Sequence, residues 1–305
     1  MNIDEELPEL PANWTSTRRY FFKYMRREVA EIVLTNGTLR WSTPATLNDP
    51  YDVQFHLGAI DLTEQTIALA TERLWQVYNG DIPPQPTDTP FAAMIRGLRS
   101  VTDLPKEEFL AEFSPAIKEG FENMLRALPA LNAEVASLMA DSKLLCLTGT
   151  PTNTAMWTHY AEQGQGVVLC LQSMPAIDSP YGMARKVNYV DEVPAWLDEK
   201  LLVDMASGLT HLEPAHAMNM LITTKGIDWA YEREWRVSSG AGRNPDAPHE
   251  DIPFHKSELA GVIFGPLTPP EDQARLASIA ERYPEAKLYT AAKLPGSLRH
   301  QILPL

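Results

Sequence analysis

The stretch WAYEREWRV, residues 229–237, places two glutamates and two arginines between two tryptophans. In an extended strand successive side chains alternate between faces, so Glu232, Glu234 and Arg236 are predicted to share one face. The two carboxylates would then lie about 7 Å apart, which raises the proton affinity of at least one unless a cation intervenes. Coupled carboxylates beside an arginine suit binding of a ribose hydroxyl, stabilisation of a developing positive charge, or coordination of Mg²⁺.

A second group of chemically capable residues lies in MWTHYAEQGQG, residues 156–166. This stretch predicts a short helix that ends in glycines. On a helix, Trp157 and Tyr160 lie on one side, while His159 points away from them. His159 is a candidate general acid or ligand, and the alternative is a structural histidine that is hydrogen bonded.

The turn NDPYD and the first strand supply further candidates. Asn48 and Asp49 precede a proline and can bond their own backbone, which is ordinary turn chemistry. Together with Asp52 they could instead position a substrate hydroxyl or a metal. Lys23 and Tyr24 lie in the aromatic run RYFFKYM and would present a cation and a ring to a nucleotide.

Several reaction classes have no support in the sequence. It contains no Gly-x-Ser-x-Gly elbow, P-loop, Rossmann fingerprint or His-Glu-x-x-His motif. Cys146 and Cys170 each lie in an apolar run without metal-ligand spacing, so we interpret both as buried thiols.

Composition indicates a packed globular protein. The chain has 305 residues, and 44% of them are hydrophobic. Its net charge of −14 argues against electrostatic binding to the phosphate backbone of nucleic acids over a broad surface. No run approaches the roughly 20 apolar residues of a membrane span, and the acidic N-terminus does not have the pattern of a signal peptide. We therefore expect a soluble cytoplasmic protein with no membrane partner.

The elements that must position these residues follow from hydrophobic periodicity. Strands are predicted at 19–25, 38–44, 143–149, 167–171, 186–190, 229–237, 261–265 and 287–293. Helices are predicted at 29–37, 195–205, 215–223 and 273–283, the last capped by Thr268, and the region 62–142 has a helical pattern. The predicted fold class is α+β: a mixed, mostly antiparallel split sheet in a single domain, 1–305, with a helical insertion at 62–142.

Several of these segments together resemble the bacterial domain-of-unknown-function family 2971. The segments are FFKYM, TNGTLRWSTPATLNDPYD, LLCLTG, AMWTHYAEQGQGVVLCL, KGIDWAYEREWRV and GVIFG. They span about residues 19–267 and include the N-D-P turn, the M-W-x-H-Y box and the W-x-Y-E-x-E-W-R strand. The resemblance implies a cytoplasmic bacterial protein associated with phage defence, and it implies no activity.

A weaker resemblance is to ADP-ribosyltransferases, whose split sheet holds a basic first-strand residue, a later Ser/Thr or Tyr position and a late E-x-E. It implies NAD as cofactor, a nucleotide or dinucleotide as ligand, and a nucleic-acid or protein acceptor. The implied catalytic residues are Glu232, Glu234 and His159. The implied cofactor-binding residues are Lys23, Tyr24, Asn48, Asp49, Trp157, Tyr160 and Arg236. Ser42 and Thr43 are alternatives to His159 and Tyr160 for the second position, and the usual serine-threonine-serine motif is incomplete.

Two other functions stay open from the sequence. A metal-dependent nuclease would use Asp49 or Asp52 with Glu232, Glu234 and Lys225, provided that the turn and the strand meet in space. A non-catalytic sensor or interaction module would instead use the charged residues to build the fold.

Overall fold

The computed structural model describes residues 2–53, 62–192, 197–211 and 214–305. The chain divides into two compact units. The first comprises residues 1–53, 138–192 and 222–305, and the second comprises residues 54–137 and 193–221. The helical region predicted at 62–142 therefore falls mostly within the second unit.

The first unit contains the strands. They are β1 (Tyr20–Met25), β2 (Thr38–Ser42), β3 (Leu144–Thr148), β4 (Val167–Gln172), β5 (Arg185–Lys186), β6 (Asn188–Val190), β7 (Thr224–Gly226), β8 (Glu234–Ser238), β9 (His249–Pro253), β10 (Leu259–Phe264), β11 (Lys287–Ala292) and β12 (Gln301–Pro304). The main sheet has the order β12-β11-β10-β4-β1-β3-β2-β9, with β8 beside β3 and β5 beside β8. Its β10–β11 pair is parallel and its other pairs are antiparallel. The predicted α+β class with a mixed, mostly antiparallel sheet is confirmed.

The α-helices occur in both units. They are α1 (Arg27–Asn36), α2 (Glu64–Asn79), α3 (Pro90–Leu98), α4 (Lys106–Asp141), α5 (Thr154–Tyr160), α6 (Glu199–Ala206), α7 (Pro214–Thr223) and α8 (Pro270–Ala280). Short 3₁₀ helices cover Pro44–Thr46, Glu162–Gly164, Pro175–Ile177, Pro180–Met183, Ile227–Glu232 and Lys256–Glu258. The helix predicted at 195–205 begins at Glu199, because Asp198 is its N-cap and accepts a hydrogen bond from the Leu201 amide at 2.7 Å. Residues 193–196 lie outside the described part of the chain.

Burial on both faces explains why β4 lies inside the sheet. Val167, Leu169 and Leu171 pack into one apolar cluster. Val168 and Cys170 point the other way, into a second cluster with Trp157. A strand with apolar residues on both faces avoids water only when both of its faces are covered.

The sheet is split beside β3, and this split positions the site. The ladder from β3 to β1 consists of the pair Phe22–Thr148, and the ladder from β3 to β2 consists of the pair Ser42–Leu144. Among the described strands, the segment 145–147 between these pairs is bonded to β8 alone. The gap leaves room for side chains between β1 and β2.

The helices of the second unit are amphipathic, as their apolar spacing predicted. Ile67 and Leu74 of α2, Ile95 of α3 and Phe109 of α4 lie in one buried cluster. These stripes form core, and they place no chemically reactive group in it.

Three predicted local features are wrong. The stretch 229–237 is not one strand, because a 3₁₀ helix ends at Glu232, Arg233 is left-handed with φ 47°, and β8 starts at Glu234. The predicted strand 186–190 is divided between β5 and β6. Thr268 does not cap α8: the cap position is Pro269, and the Thr268 hydroxyl donates to the Gly166 carbonyl at 2.9 Å.

Candidate functional site

A cavity of about 270 Å³ opens in the first unit where β1 and β2 part along β3. Its polar lining comes from the strands, from the turn after β2 and from α5. The residues that line it are Phe22, Lys23, Tyr24, Arg40, Ser42, Thr46, Leu47, Asn48, Asp52, Leu144, Cys146, Leu147, Thr148, Met156, Tyr160, Lys225, Glu232 and Glu234. A concave space with a few converging polar groups is the usual form of a small-molecule site.

The Lys225 ammonium lies among three carboxylates at one wall of the cavity. Its Nζ is 2.6 Å from Glu232 Oε2, 3.1 Å from Glu234 Oε2 and 3.6 Å from Asp52 Oδ2. All four side chains are buried. Buried charges of this kind are stable only when they are paired, and here each carboxylate has a cation within ion-pair distance.

Arg236 binds two of these three carboxylates, those of Asp52 and Glu234. Its guanidinium donates to both oxygens of Asp52, at 2.8 and 2.6 Å, and to both oxygens of Glu234, at 2.8 Å each. A fifth bond, of 2.9 Å, goes to the carbonyl of Ile222. This doubly bidentate geometry holds two carboxylates in fixed orientation, a task for which a planar guanidinium is suited.

A hydrogen-bonded chain leads from the turn after β2 to Glu232. Asn48 Nδ2 donates to the Tyr160 hydroxyl at 2.5 Å, and that hydroxyl donates to Glu232 Oε1. The backbone of Glu232 is held as well, because the Thr148 hydroxyl donates to its carbonyl at 2.6 Å. The side chain of Glu232 is therefore oriented by Tyr160 and Lys225 on its two oxygens.

The surroundings of the two glutamates shift their pKa values in opposite directions. Burial raises the pKa of Glu232 above its ordinary value, although Lys225 and Tyr160 lower it in part. Burial would also raise the pKa of Glu234, but attraction to Arg236 and hydrogen bonds from it outweigh burial and lower that pKa to about 2. The contacts of Arg236 therefore favour the ionised form of Glu234, whereas burial favours the protonated form of Glu232.

Lys23 differs from Lys225 although both line the cavity. Its Nζ donates to the carbonyl of Cys146 at 2.9 Å, at the gap in the β3 ladder. Within the described part of the chain no carboxylate lies within 4.0 Å of this nitrogen. Burial lowers the pKa of Lys23, and Cys146 and Glu234 raise it in part. By contrast, Glu234 and Glu232 together outweigh burial and raise the pKa of Lys225.

The structure brings together most of the predicted site residues. Glu232, Glu234, Lys23, Tyr24, Asn48 and Tyr160 all line the cavity. The Tyr24 hydroxyl is already engaged, since it donates to the Thr150 carbonyl at 3.1 Å.

Four predicted site residues lie elsewhere. Arg236 is fully buried behind the carboxylates, so it has no free face for a phosphate. Trp157 is a core residue that packs edge-on against Tyr24 and is not open to a stacking ligand. Asp49 is buried and accepts the Tyr51 amide at 2.9 Å. His159 is exposed, with its ring centroid 6.0 Å from that of Tyr231, and is not among the lining residues.

Some lining residues were missed or underrated by sequence reasoning. Lys225 was expected as a cation beside the two glutamates, and Asp52 as a turn residue for a substrate hydroxyl or a metal; neither was among the predicted cofactor-binding or catalytic residues, yet they complete the buried network. Cys146 and Arg40 were not predicted as site residues at all. Strand alternation in KLLCLTG would have placed Cys146 and Thr148 on one face, but pairing with β8 is needed to show which face that is.

The network is poorly suited to Mg²⁺. Asp52, Glu232 and Glu234 do converge, but Lys225 lies among them and Arg236 takes both oxygens of two of them. Nowhere in the described ranges do three residues of His, Cys, Asp and Glu form a group that could hold a metal ion. Cations supplied by the protein occupy the positions that a metal would need.

Fold and site together define an α+β protein with a charged cavity at the split of a mostly antiparallel sheet. Residues 156–237 match the profile of a family described as "Protein of unknown function (DUF2971)". The matched segment contains Tyr160, Lys225, Glu232, Glu234 and Arg236, and the match supports the family resemblance seen in the sequence. No curated protein and no solved structure gave a significant match. No helix of the described residues is long and apolar enough to cross a membrane.

Proposed function

We propose that the cavity binds a ribosyl nucleotide, with NAD as the candidate, and that the protein is an ADP-ribosyltransferase-like enzyme. One observation carries the proposal: two oriented carboxyl groups line one cavity, and their pKa values are shifted in opposite directions. Pairs of this kind divide the work between a proton-exchanging group and a permanent anion.

In this proposal Glu232 contacts the ribose. Tyr160 and Lys225 occupy one lone-pair direction on each of its oxygens, and a carboxylate offers about four such directions, so acceptor capacity remains for ribose hydroxyls. Glu234, which stays ionised, stabilises the positive charge that develops on the sugar as the glycosidic bond breaks. Asn48 and Tyr160 hold Glu232 in place during this step.

The size and charge of the cavity restrict the ligand. A volume of about 270 Å³ is near the lower limit for small-molecule pockets, which begin at roughly 300 Å³. Arg40 and Asn48 are exposed lining residues, so the part of a dinucleotide that exceeds this volume would lie beside them. Since the chain carries a net charge of −14, we expect a protein acceptor rather than a nucleic acid. A cytoplasmic location and a role in bacterial phage defence belong to the same proposal.

The test is NAD turnover by the purified full-length protein, followed as nicotinamide release and as transfer of adenylate-labelled ADP-ribose to added protein. We expect Glu232→Gln to lower the rate at least about 100-fold, the usual contribution of a positioned acid or base. Glu258→Gln is the matched control, because Glu258 is equally buried but does not line the cavity. Absence of nicotinamide release, or equal rates for wild type and Glu232→Gln, would refute the proposal.

A non-catalytic ligand sensor is the second candidate. It is favoured by the ion pairing of the network: Asp52, Glu232 and Glu234 each already have a cationic partner, as expected of charges that stabilise a fold. For a sensor, NAD or another nucleotide would bind without release of nicotinamide, and Glu232→Gln would weaken binding only.

A further inference from the structure

Lys23 and Lys225 line the same cavity with different surroundings. Lys225 Nζ has carboxylate oxygens of Glu232 and Glu234 at 2.6 and 3.1 Å, which hold it as an ammonium. Lys23 Nζ has a neutral partner, the Cys146 carbonyl at 2.9 Å. A lysine without an anionic partner in a desolvated site is the usual setting for a nucleophilic amine.

We propose that Lys23 is a nucleophilic amine that forms an imine with an aldehyde or ketone ligand in the cavity. The inference rests on the cavity assigned under the proposed function, but not on NAD as the ligand. The chemical class of ligand is a carbonyl compound, and the open-chain aldehyde of an aldose phosphate is the form that fits a ribosyl site.

Three observations support this role. Phe22, Leu144 and Leu147 are among the residues that line the cavity, and all three are buried apolar residues, an environment that disfavours a charged nitrogen. Burial accordingly lowers the pKa of Lys23, so a larger fraction of it is the free amine at neutral pH. One N–H of that amine can donate a hydrogen bond to the Cys146 carbonyl, and the nitrogen lone pair then remains available to the ligand.

The step is balanced without any further reactant. The Lys23 lone pair attacks the carbonyl carbon, so that a C–N bond forms while the π pair of the C=O bond moves to the oxygen. The first nitrogen proton is transferred to that oxygen, which gives a carbinolamine. Loss of the second nitrogen proton and of the hydroxyl group as water then yields the imine.

A purely structural lysine is the competing explanation. Lys23 satisfies a carbonyl that lies in the gap between the β1 and β2 pairings, and it would do so as an ammonium too. Chemical reactivity separates the two, since an ammonium has no lone pair and does not attack a carbonyl.

The experiment is reductive trapping with ribose 5-phosphate and sodium cyanoborohydride at pH 7, on the folded full-length protein. The adduct on each lysine is quantified by peptide mass spectrometry. We expect Lys23 to be labelled at least tenfold faster than Lys200, whose side chain is 83% exposed and paired with Asp204. Lys225 serves as the internal control within the cavity, and it should stay unlabelled.

Lys23→Arg is the decisive variant, because arginine keeps a donor for the Cys146 carbonyl but is not a nucleophile under these conditions. Its melting temperature is measured alongside, so that loss of the adduct is read on a folded protein. If it fails to fold, faster labelling of Lys23 than of Lys200 in the wild type still decides the matter. Labelling of Lys23 no faster than of Lys200, or equal total labelling of wild type and a folded Lys23→Arg, would overturn the inference. Because no NAD is present, failure here leaves the turnover test of the proposed function independent.

Discussion

Glu232 and Glu234 share one cation: the Lys225 ammonium lies 2.6 Å from the first and 3.1 Å from the second. Their pKa values nevertheless move in opposite directions, because Glu234 has in addition the fork of Arg236, while Glu232 has the Tyr160 hydroxyl. The pKa values of the two carboxyl groups therefore differ because one is bonded to a second cation and the other to a neutral hydroxyl.

Removing the shared cation should strongly destabilise the protein. In Lys225→Met, Asp52 and Glu234 keep their ion pairs with Arg236, whereas buried Glu232 loses the Lys225 ammonium. Breaking a buried pair of this kind costs about 3–5 kcal/mol in free energy of unfolding. Urea denaturation measures this loss. Lys200→Met removes an exposed pair and should cost less than about 0.5 kcal/mol. A loss below about 1 kcal/mol for Lys225→Met would contradict the role given to the network.

Two bidentate aspartate–arginine pairs that differ in burial allow a comparison of their contributions to stability. Asp52 binds buried Arg236, and Asp251 binds exposed Arg40 at 2.9 and 3.0 Å. Asp52→Asn should lower the free energy of unfolding by about 3 kcal/mol, and Asp251→Asn by less than about 1 kcal/mol. Denaturant titrations of both variants give the two values. Equal losses would show that solvent screening does not distinguish the pairs.

The sequence predicted which charged residues of 229–237 meet at this site, but it did not predict the backbone conformation that positions them. Strand alternation predicted that Glu232, Glu234 and Arg236 point to one side, and they do meet, but Glu232 reaches the cavity from a 3₁₀ helix and Arg233 turns the chain with φ 47°. The left-handed residue is an arginine, not a glycine or asparagine, so local sequence gave no signal of the break.

Other features depend on long-range pairing and were not predictable from one sequence. The gap that places Lys23 beside Cys146 exists because β1 and β2 each meet β3 at one residue pair. Asp52 reaches Arg236 across 184 positions of the chain. Trp157 was expected to stack on a ligand, but spacing within a helix does not reveal which aromatic rings the core will cover.

Acid should weaken the folded state through Glu234. Its pKa is about 2 in the fold against an ordinary 4.5, so the folded state binds fewer protons there than the unfolded chain. The resulting stabilisation is complete above about pH 4.5 and is lost as the pH falls towards 2. The difference in unfolding free energy between wild type and Glu234→Gln should therefore shrink over this interval, as measured by denaturant titration at each pH. A difference that stays constant from pH 6 to pH 2.5 would contradict the assignment.

The pKa of Glu232 should change when its hydrogen bond from Tyr160 is removed. The Tyr160 hydroxyl lowers the pKa of Glu232, so Tyr160→Phe should raise that pKa further. Carbon-13 NMR titration of the glutamate carboxyl groups measures the shift directly. His159→Ala is the neighbouring control on the same helix, and we expect it to leave the titration unchanged because His159 is exposed and outside the lining. An unchanged Glu232 pKa in Tyr160→Phe would show that the hydroxyl does not stabilise the carboxylate.

The most direct test of the account is the dissociation constant of labelled ADP-ribose, measured by equilibrium dialysis. We expect the wild type to bind, Glu232→Gln to bind at least about tenfold more weakly through the loss of a charge-assisted hydrogen bond to ribose, and Glu258→Gln to bind like wild type. No binding by the wild type, or the same dissociation constant for Glu232→Gln, would contradict the claim that this cavity holds a ribosyl nucleotide on Glu232.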